Sequence, residues 1–101
     1  MITLSTPEQA AIIEILNRYV PKAKILLFGS RIKGNAAPYS DLDLAIDNGE
    51  KLPLNLFYDI QIAFEESTLN FPVDVLDWYR TTPGFQQHIL KHHHVFKIDI
   101  L

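Results

Sequence analysis

From Lys24 to Asp47 the chain reads KILLFGSRIKGNAAPYSDLDLAID, and its two apolar runs fix much of what the protein can fold into. Lys24 to Phe28 is a short apolar run stopped by Gly29, the pattern of a buried strand. Asp41 to Asp47 alternates strictly: Asp41, Asp43, Ala45 and Asp47 face one way, and Leu42, Leu44 and Ile46 face the other. A strand with one apolar face must lie on a core, so its opposite face carries a row of carboxylates. Between the two runs, Arg31 to Ser40 reads as irregular chain or one short helical turn, with Gly34 and Pro38 as punctuation.

Helices flank this centre. Ser5, Thr6 and Pro7 announce the first: Thr6 can cap, Pro7 suits the first helical position, and Gln9 completes a capping-box spacing from Thr6. Ile12, Ile13, Ile15, Leu16, Tyr19 and Val20 then recur at helical spacing until Pro21 ends the run. Pro53 to Leu69 reads as a second long helix with Leu56, Phe57, Ile60, Ala63 and Phe64 inward. Val73 to Trp78 is a third strand, and Thr82, Pro83 and Gly84 open a last helix through about His92. Val95 to Leu101 is a short final strand or a docked tail. The expected class is α/β (α+β), with helices packed on a small sheet. At 101 residues, a single domain over 1–101 is expected.

The net charge of −3 argues against a protein held on nucleic acid by nonspecific charge, which needs a basic surface. With no cysteine, disulfides and cysteine-ligated zinc are excluded. The first residues, MITLSTPEQ, lack the basic start and apolar centre of a signal peptide. No apolar run approaches the ~20 residues of a membrane span. A soluble, cytoplasmic protein is expected.

Residues two apart on a strand share a face. Asp41 and Asp43 there repel each other unless a cation lies between them. Mg2+ uses one or two carboxylates together with substrate phosphates. On spacing alone, a solvated acidic face on an edge strand explains the pair equally well. Context decides. Gly29 allows backbone N–H groups to approach an anion, Ser30 adds a hydroxyl, and Arg31 and Lys33 can offset phosphate charge. A phosphate turn joined to a carboxylate pair describes a site for a nucleoside triphosphate with bound metal.

Phe28-Gly29-Ser30, ten residues, then Asp41-Leu42-Asp43-Leu44 resembles the signature of the DNA polymerase beta nucleotidyltransferase superfamily. The longer string GSR-x-x-G-x-x-x-x-x-SDLDL is similar to that of its minimal nucleotidyltransferases, and the order of the downstream elements agrees. The resemblance implies the nucleotidyltransferase fold, a small mixed sheet with helices on it. It implies a third carboxylate on a neighbouring strand. In PVDVLDW the candidates are Asp74 and Asp77; alternation alone does not choose, and the family pattern, which places the carboxylate early in the strand, favours Asp74. It further implies catalytic and metal roles for Asp41, Asp43 and Asp74, two Mg2+ ions (or Mn2+), and triphosphate contacts from Gly29, Ser30 and Arg31. Minimal members commonly pair with a helical HEPN-type protein and act as antitoxins, transferring AMP from ATP to a tyrosine of the toxin. That is the expected function, in a homo-dimer or hetero-oligomer, with direct nucleic-acid binding unlikely on charge grounds. Two alternatives compete: a non-catalytic nucleotide-binding partner of a HEPN subunit, and a transferase acting on a small molecule.

Two further features stand apart. His88 and His92 lie four apart, a zinc-compatible spacing, and His93 and His94 follow, but a stable site needs a third ligand that the sequence does not offer convincingly. A solvated helix end is the favoured reading of that cluster. Trp78 and Tyr79 fit an adenine platform, a partner surface or the edge of a core.

Overall fold

The computed structural model describes residues 4–34, 37 and 39–98. Its elements are α1 (Thr6–Tyr19), β1 (Lys24–Phe28), α2 (Ser30–Lys33), β2 (Leu42–Asp47), α3 (Leu54–Glu65), β3 (Val73–Asp77), a 3-10 turn (Trp78–Arg80), α4 (Pro83–Lys91) and β4 (His94–Phe96). The strands form one mixed sheet in the order β3-β2-β1-β4. β1 is antiparallel to β2 and β4, and β2 runs parallel to β3. The helix between β2 and β3 is the crossover that a parallel pair requires. Of the expected tail, Val95 and Phe96 lie in β4, while residues 99–101 lie outside the described residues.

The first helix starts one residue earlier than its sequence suggests. Ser5, not Thr6, is the N-cap: its hydroxyl accepts from the Glu8 N–H at 3.2 Å, and the Glu8 carboxylate accepts from the Ser5 N–H at 2.8 Å. The two spacings are equivalent in sequence. Glu8 wins over Gln9 because an ionised acceptor makes the stronger bond and favours the positive end of the helix. At the other end, α3 stops at Glu65 rather than near Leu69. The Ser67 hydroxyl donates to the Phe64 carbonyl at 2.7 Å, replacing the bond that another turn would have supplied.

The sheet is covered on both faces, unequally. Ile12, Ile15 and Leu16 of α1 and Ile60 and Phe64 of α3 pack with Ile25, Leu27, Leu42, Leu44 and Ile46 in the main core. On the other face Leu26, Phe28 and Ala45 meet Ile89 of α4 in a smaller cluster, with Leu76 and Trp78 at its border. Ala45, read with the carboxylates, is fully buried there. The carboxylate row is therefore cut short: α4 covers the middle of the face and leaves the Asp43 end open.

Asp77 shares the parity of Val75, which points into the main core, and it is itself buried. Its carboxylate accepts from the Leu52 N–H at 2.8 Å, the Tyr79 N–H at 3.1 Å and the Arg80 Nε–H at 3.2 Å. Arg80 in turn donates to the Leu52 carbonyl at 2.8 Å, which ties the approach to α3 onto the end of β3. Asp77→Ala would leave the buried Leu52 N–H and the Arg80 Nε–H without their acceptor. The expected loss is about 3 kcal/mol of unfolding free energy, read as a lower urea midpoint at unchanged slope.

Candidate active site

Strand register brings two of the carboxylates, Asp43 and Asp74, together. β1 ends where β2 begins, so Phe28 is the cross-strand partner of Asp43. β3 begins beside the same point, and Asp74 is the parallel partner of Asp43. Asp74 has the parity of Leu76, on the small-core face, whereas Asp77 has its carboxylate committed on the other. Asp41 lies one residue ahead of β2 and is exposed.

Gly29 closes this end of β1. Its backbone, φ 85° and ψ −164°, lies in a region that only glycine adopts readily. A β-carbon there would collide with the Asp43 carboxylate. The turn thus packs directly against the acid, and α2 starts at Ser30 in the next position.

Asp43 is the perturbed group. Burial first, then the charges of Asp74 and Asp41, push its pKa from 3.8 up to about 6. Desolvation and like charge act in the same direction, and a cation bound among the three reverses the second. Among the described residues, no three His, Cys, Asp or Glu side chains stand close enough together to hold a metal ion. Three carboxylates that repel one another have no reason to close up without a cation. The donor set, all hard carboxylate oxygen, still suits Mg2+ or Mn2+.

The pH consequence has a definite sign. The folded state holds the Asp43 proton more tightly than the unfolded chain does. Its contribution to stability is therefore fully present below the ordinary value of 3.8 and is lost as pH rises through about 6. In EDTA, urea unfolding of the wild type should show a loss of about 2 kcal/mol over this window relative to Asp43→Asn, allowing for solvent screening. Parallel pH profiles for the two proteins would contradict the burial and charge environment assigned to Asp43.

A cavity of about 620 Å3 opens on this point, with Gly29, Asp43 and Asp74 at one part of its wall and Thr82, Phe85 and His88 at another. Its size is that of a small-molecule site. A second groove, about 560 Å3, lies between α1 and α3; none of the residues expected at the site borders it, and its Arg18 is paired with Glu14 at 3.3 Å.

Arg31 sits differently from its sequence reading as a phosphate partner. It is buried, its Nε–H donates to the Ser40 carbonyl at 2.8 Å, and its guanidinium lies 3.9 Å from the centre of the Phe71 ring. That geometry braces the segment leading into Asp41. The aromatic pair also separates. Trp78 closes the small core, while Tyr79 lies by Asp47, whose hydrogen bond and charge raise the phenol pKa at the far end of β2. Of the histidines, His88 borders the cavity, His92 caps α4 and His94 lies in β4 opposite Leu27. Phe85 and the Thr81–Thr82 wall of the cavity were not apparent in the sequence, where an aromatic on an amphipathic helix carries no sign of its use.

Comparison with known proteins identifies relatives of the chain and of its fold. The family profile described as "Polymerase beta, Nucleotidyltransferase" matches residues 10–99. A Haemophilus influenzae protein described as "Probable protein adenylyltransferase MntA" is 41% identical over 90 residues, spanning 89% of this chain and 79% of that protein. Two crystal structures share the fold. One, of a toxin-antitoxin with AMP-PNP, has a TM-score of 0.75 at 24% identity over 87% of this chain and 71% of the other. The second, of the toxin-antitoxin MntA-HpeT carrying two aspartate-to-glutamate changes, has a TM-score of 0.74 at 21% identity with the same coverage.

Proposed function

The chain belongs to the polymerase beta nucleotidyltransferase family, and from that premise we propose that it is a metal-dependent protein adenylyltransferase. It moves AMP from ATP to a tyrosine hydroxyl of a helical HEPN-type toxin and so acts as a cytoplasmic antitoxin. The observation that carries this reading is the convergence of the Gly29 turn, Asp43 and Asp74 on one cavity. The 41% identical relative, described as a probable protein adenylyltransferase, supports the reaction class.

In this reading the Gly29 backbone and the Ser30 hydroxyl hold the β and γ phosphates. Arg31 acts on Asp41 through the Ser40 carbonyl and adds its positive charge to the field at the phosphates. Asp41, Asp43 and Asp74 would hold two Mg2+ ions (or Mn2+), which when bound would supply charge neutralisation at the triphosphate and lower the pKa of the acceptor hydroxyl. Asp74, the more exposed of the two register partners, takes the acceptor's proton. The acceptor oxygen then bonds the α-phosphorus, the bond from that phosphorus to the bridging oxygen breaks, and pyrophosphate leaves. Positioning and electrostatics do nearly all of the work.

Incubation with α-labelled ATP and Mg2+, with and without the helical protein encoded beside it, tests the reading by mass spectrometry. The expected product is one AMP on a partner tyrosine, absent in EDTA. Neutralisation of the partner with no covalent nucleotide would instead establish a binding-only role. Labelling of a small hydroxylated compound without the partner would move the acceptor to a different class.

A further inference from the structure

We propose that Phe85 and His88 of α4 form the stacking platform for the base of the bound nucleotide, an inference that rests on the nucleotidyltransferase reading of the same cavity. Both side chains border the cavity that also holds Gly29, Asp43 and Asp74. Phe85 is 39% exposed, an apolar ring left partly uncovered at the wall of a carboxylate-bearing cavity. Its orientation is set by two neighbours. Phe28 meets it edge-on, with ring centres 6.0 Å apart and planes at 82°. His88 stacks on it at 5.8 Å and 27°.

The platform is anchored. Ile89, the next residue after His88, is fully buried in the small core. The Phe85 N–H donates to the Thr82 hydroxyl at 3.2 Å, and the Gln86 side chain donates to the Trp78 carbonyl at 2.9 Å. A ring held this way loses little freedom when another ring stacks on it.

The chemistry of the cavity matches the two ends of a nucleotide. Around Asp43 it offers charge and close backbone; at Phe85 and His88 it offers π surface. A base is a planar, uncharged ring, and stacking on an aromatic platform accepts any base because each has a π face. The Thr81 hydroxyl, also at the wall, donates to the Trp78 carbonyl at 2.7 Å, while the Thr82 oxygen accepts from the Phe85 N–H and keeps its own hydrogen to donate. Stacking itself discriminates weakly among bases. ATP and GTP bind within about tenfold of each other, and pyrimidine nucleotides bind less well because their rings are smaller.

The test is calorimetric titration of wild type, Phe85→Ala, His88→Ala and Phe85→Trp with ATP and with inorganic tripolyphosphate, all in Mg2+. Phe85→Ala is expected to weaken ATP about tenfold to a hundredfold while tripolyphosphate changes less than about twofold, since the polyphosphate has no ring to stack. His88→Ala shifts ATP in the same direction by less. Phe85→Trp keeps ATP affinity, and its added fluorescence is quenched by ATP but not by tripolyphosphate. Wild-type ATP affinity in Phe85→Ala, or equal weakening of both ligands, overturns the platform alone. Wild-type protein that binds neither ligand overturns the nucleotidyltransferase reading and the platform with it.

Discussion

Asp43→Asn is expected to lower nucleotidyl transfer by about a hundredfold or more while the fold survives. The substitution is nearly isosteric, and Asp43 sits at the open end of the carboxylate face, so packing changes little. What changes is charge. Asp43 is flanked by Asp74 in register and by Asp41 two residues away, and burial first, then the charges of those two, raise its pKa. Replacing it by a neutral amide relieves that repulsion and removes a ligand that a hard cation prefers. The metal-free melting temperature should therefore hold or rise above pH 6, the reverse of what loss of a structural residue would do. Transfer depends on charge placed at the triphosphate, so it falls with the metal. The same variant separates catalysis from binding. With AMP transfer as the function, it still binds the helical partner but fails to neutralise it at substoichiometric amounts. Neutralisation equal to wild type at every ratio would leave binding as the whole function, and full transferase activity would remove Asp43 from the chemistry.

Local pattern was enough to place β1, β2 and the Gly-Ser turn, because each is written in consecutive residues: an apolar run, a strict alternation and a glycine. The apolar face of β2 followed directly, and Leu42, Leu44 and Ile46 lie in the main core. Asp74 against Asp77 was a different kind of question. Parity within β3 separates the two but does not say which face is which. That answer comes from the register with β2 and from Leu52, 25 residues away, whose N–H uses the Asp77 carboxylate. Arg31 illustrates the same limit. Its sequence neighbours suggest a cation that offsets phosphate charge beside the Gly-Ser turn, while Phe71, on the far side of α3 in the chain, offers the ring face on which it is buried. Long-range pairing of this sort leaves no periodic trace. Phe85 was invisible for a related reason, since its significance lies in sharing a cavity wall with Asp43 and Gly29, 42 and 56 positions away.

Gly29→Ala should be the most damaging change of a single hydrogen to a methyl group in the chain, and Gly34→Ala shows why. Both glycines have positive φ, 85° and 82°. Gly34 ends α2 in the left-handed helical region, and a β-carbon there meets nothing within 4 Å. Its substitution costs about 1 kcal/mol of backbone strain and leaves the site intact. Gly29 has ψ −164°, a combination close to inaccessible for alanine, and its β-carbon would run into the Asp43 carboxylate, with Cγ at 3.1 Å. Relief requires either the turn or Asp43 to move, and the site needs both in place. The expected result is a loss of about 2–4 kcal/mol in stability. At temperatures where the variant remains folded, ATP affinity in Mg2+ should fall by more than about tenfold, and transfer at least as far as in Asp43→Asn. Measuring both glycine variants side by side distinguishes strain from position: equal loss of stability and equal retention of ATP binding in the two would show that the contact between the turn and Asp43 is incidental to the site.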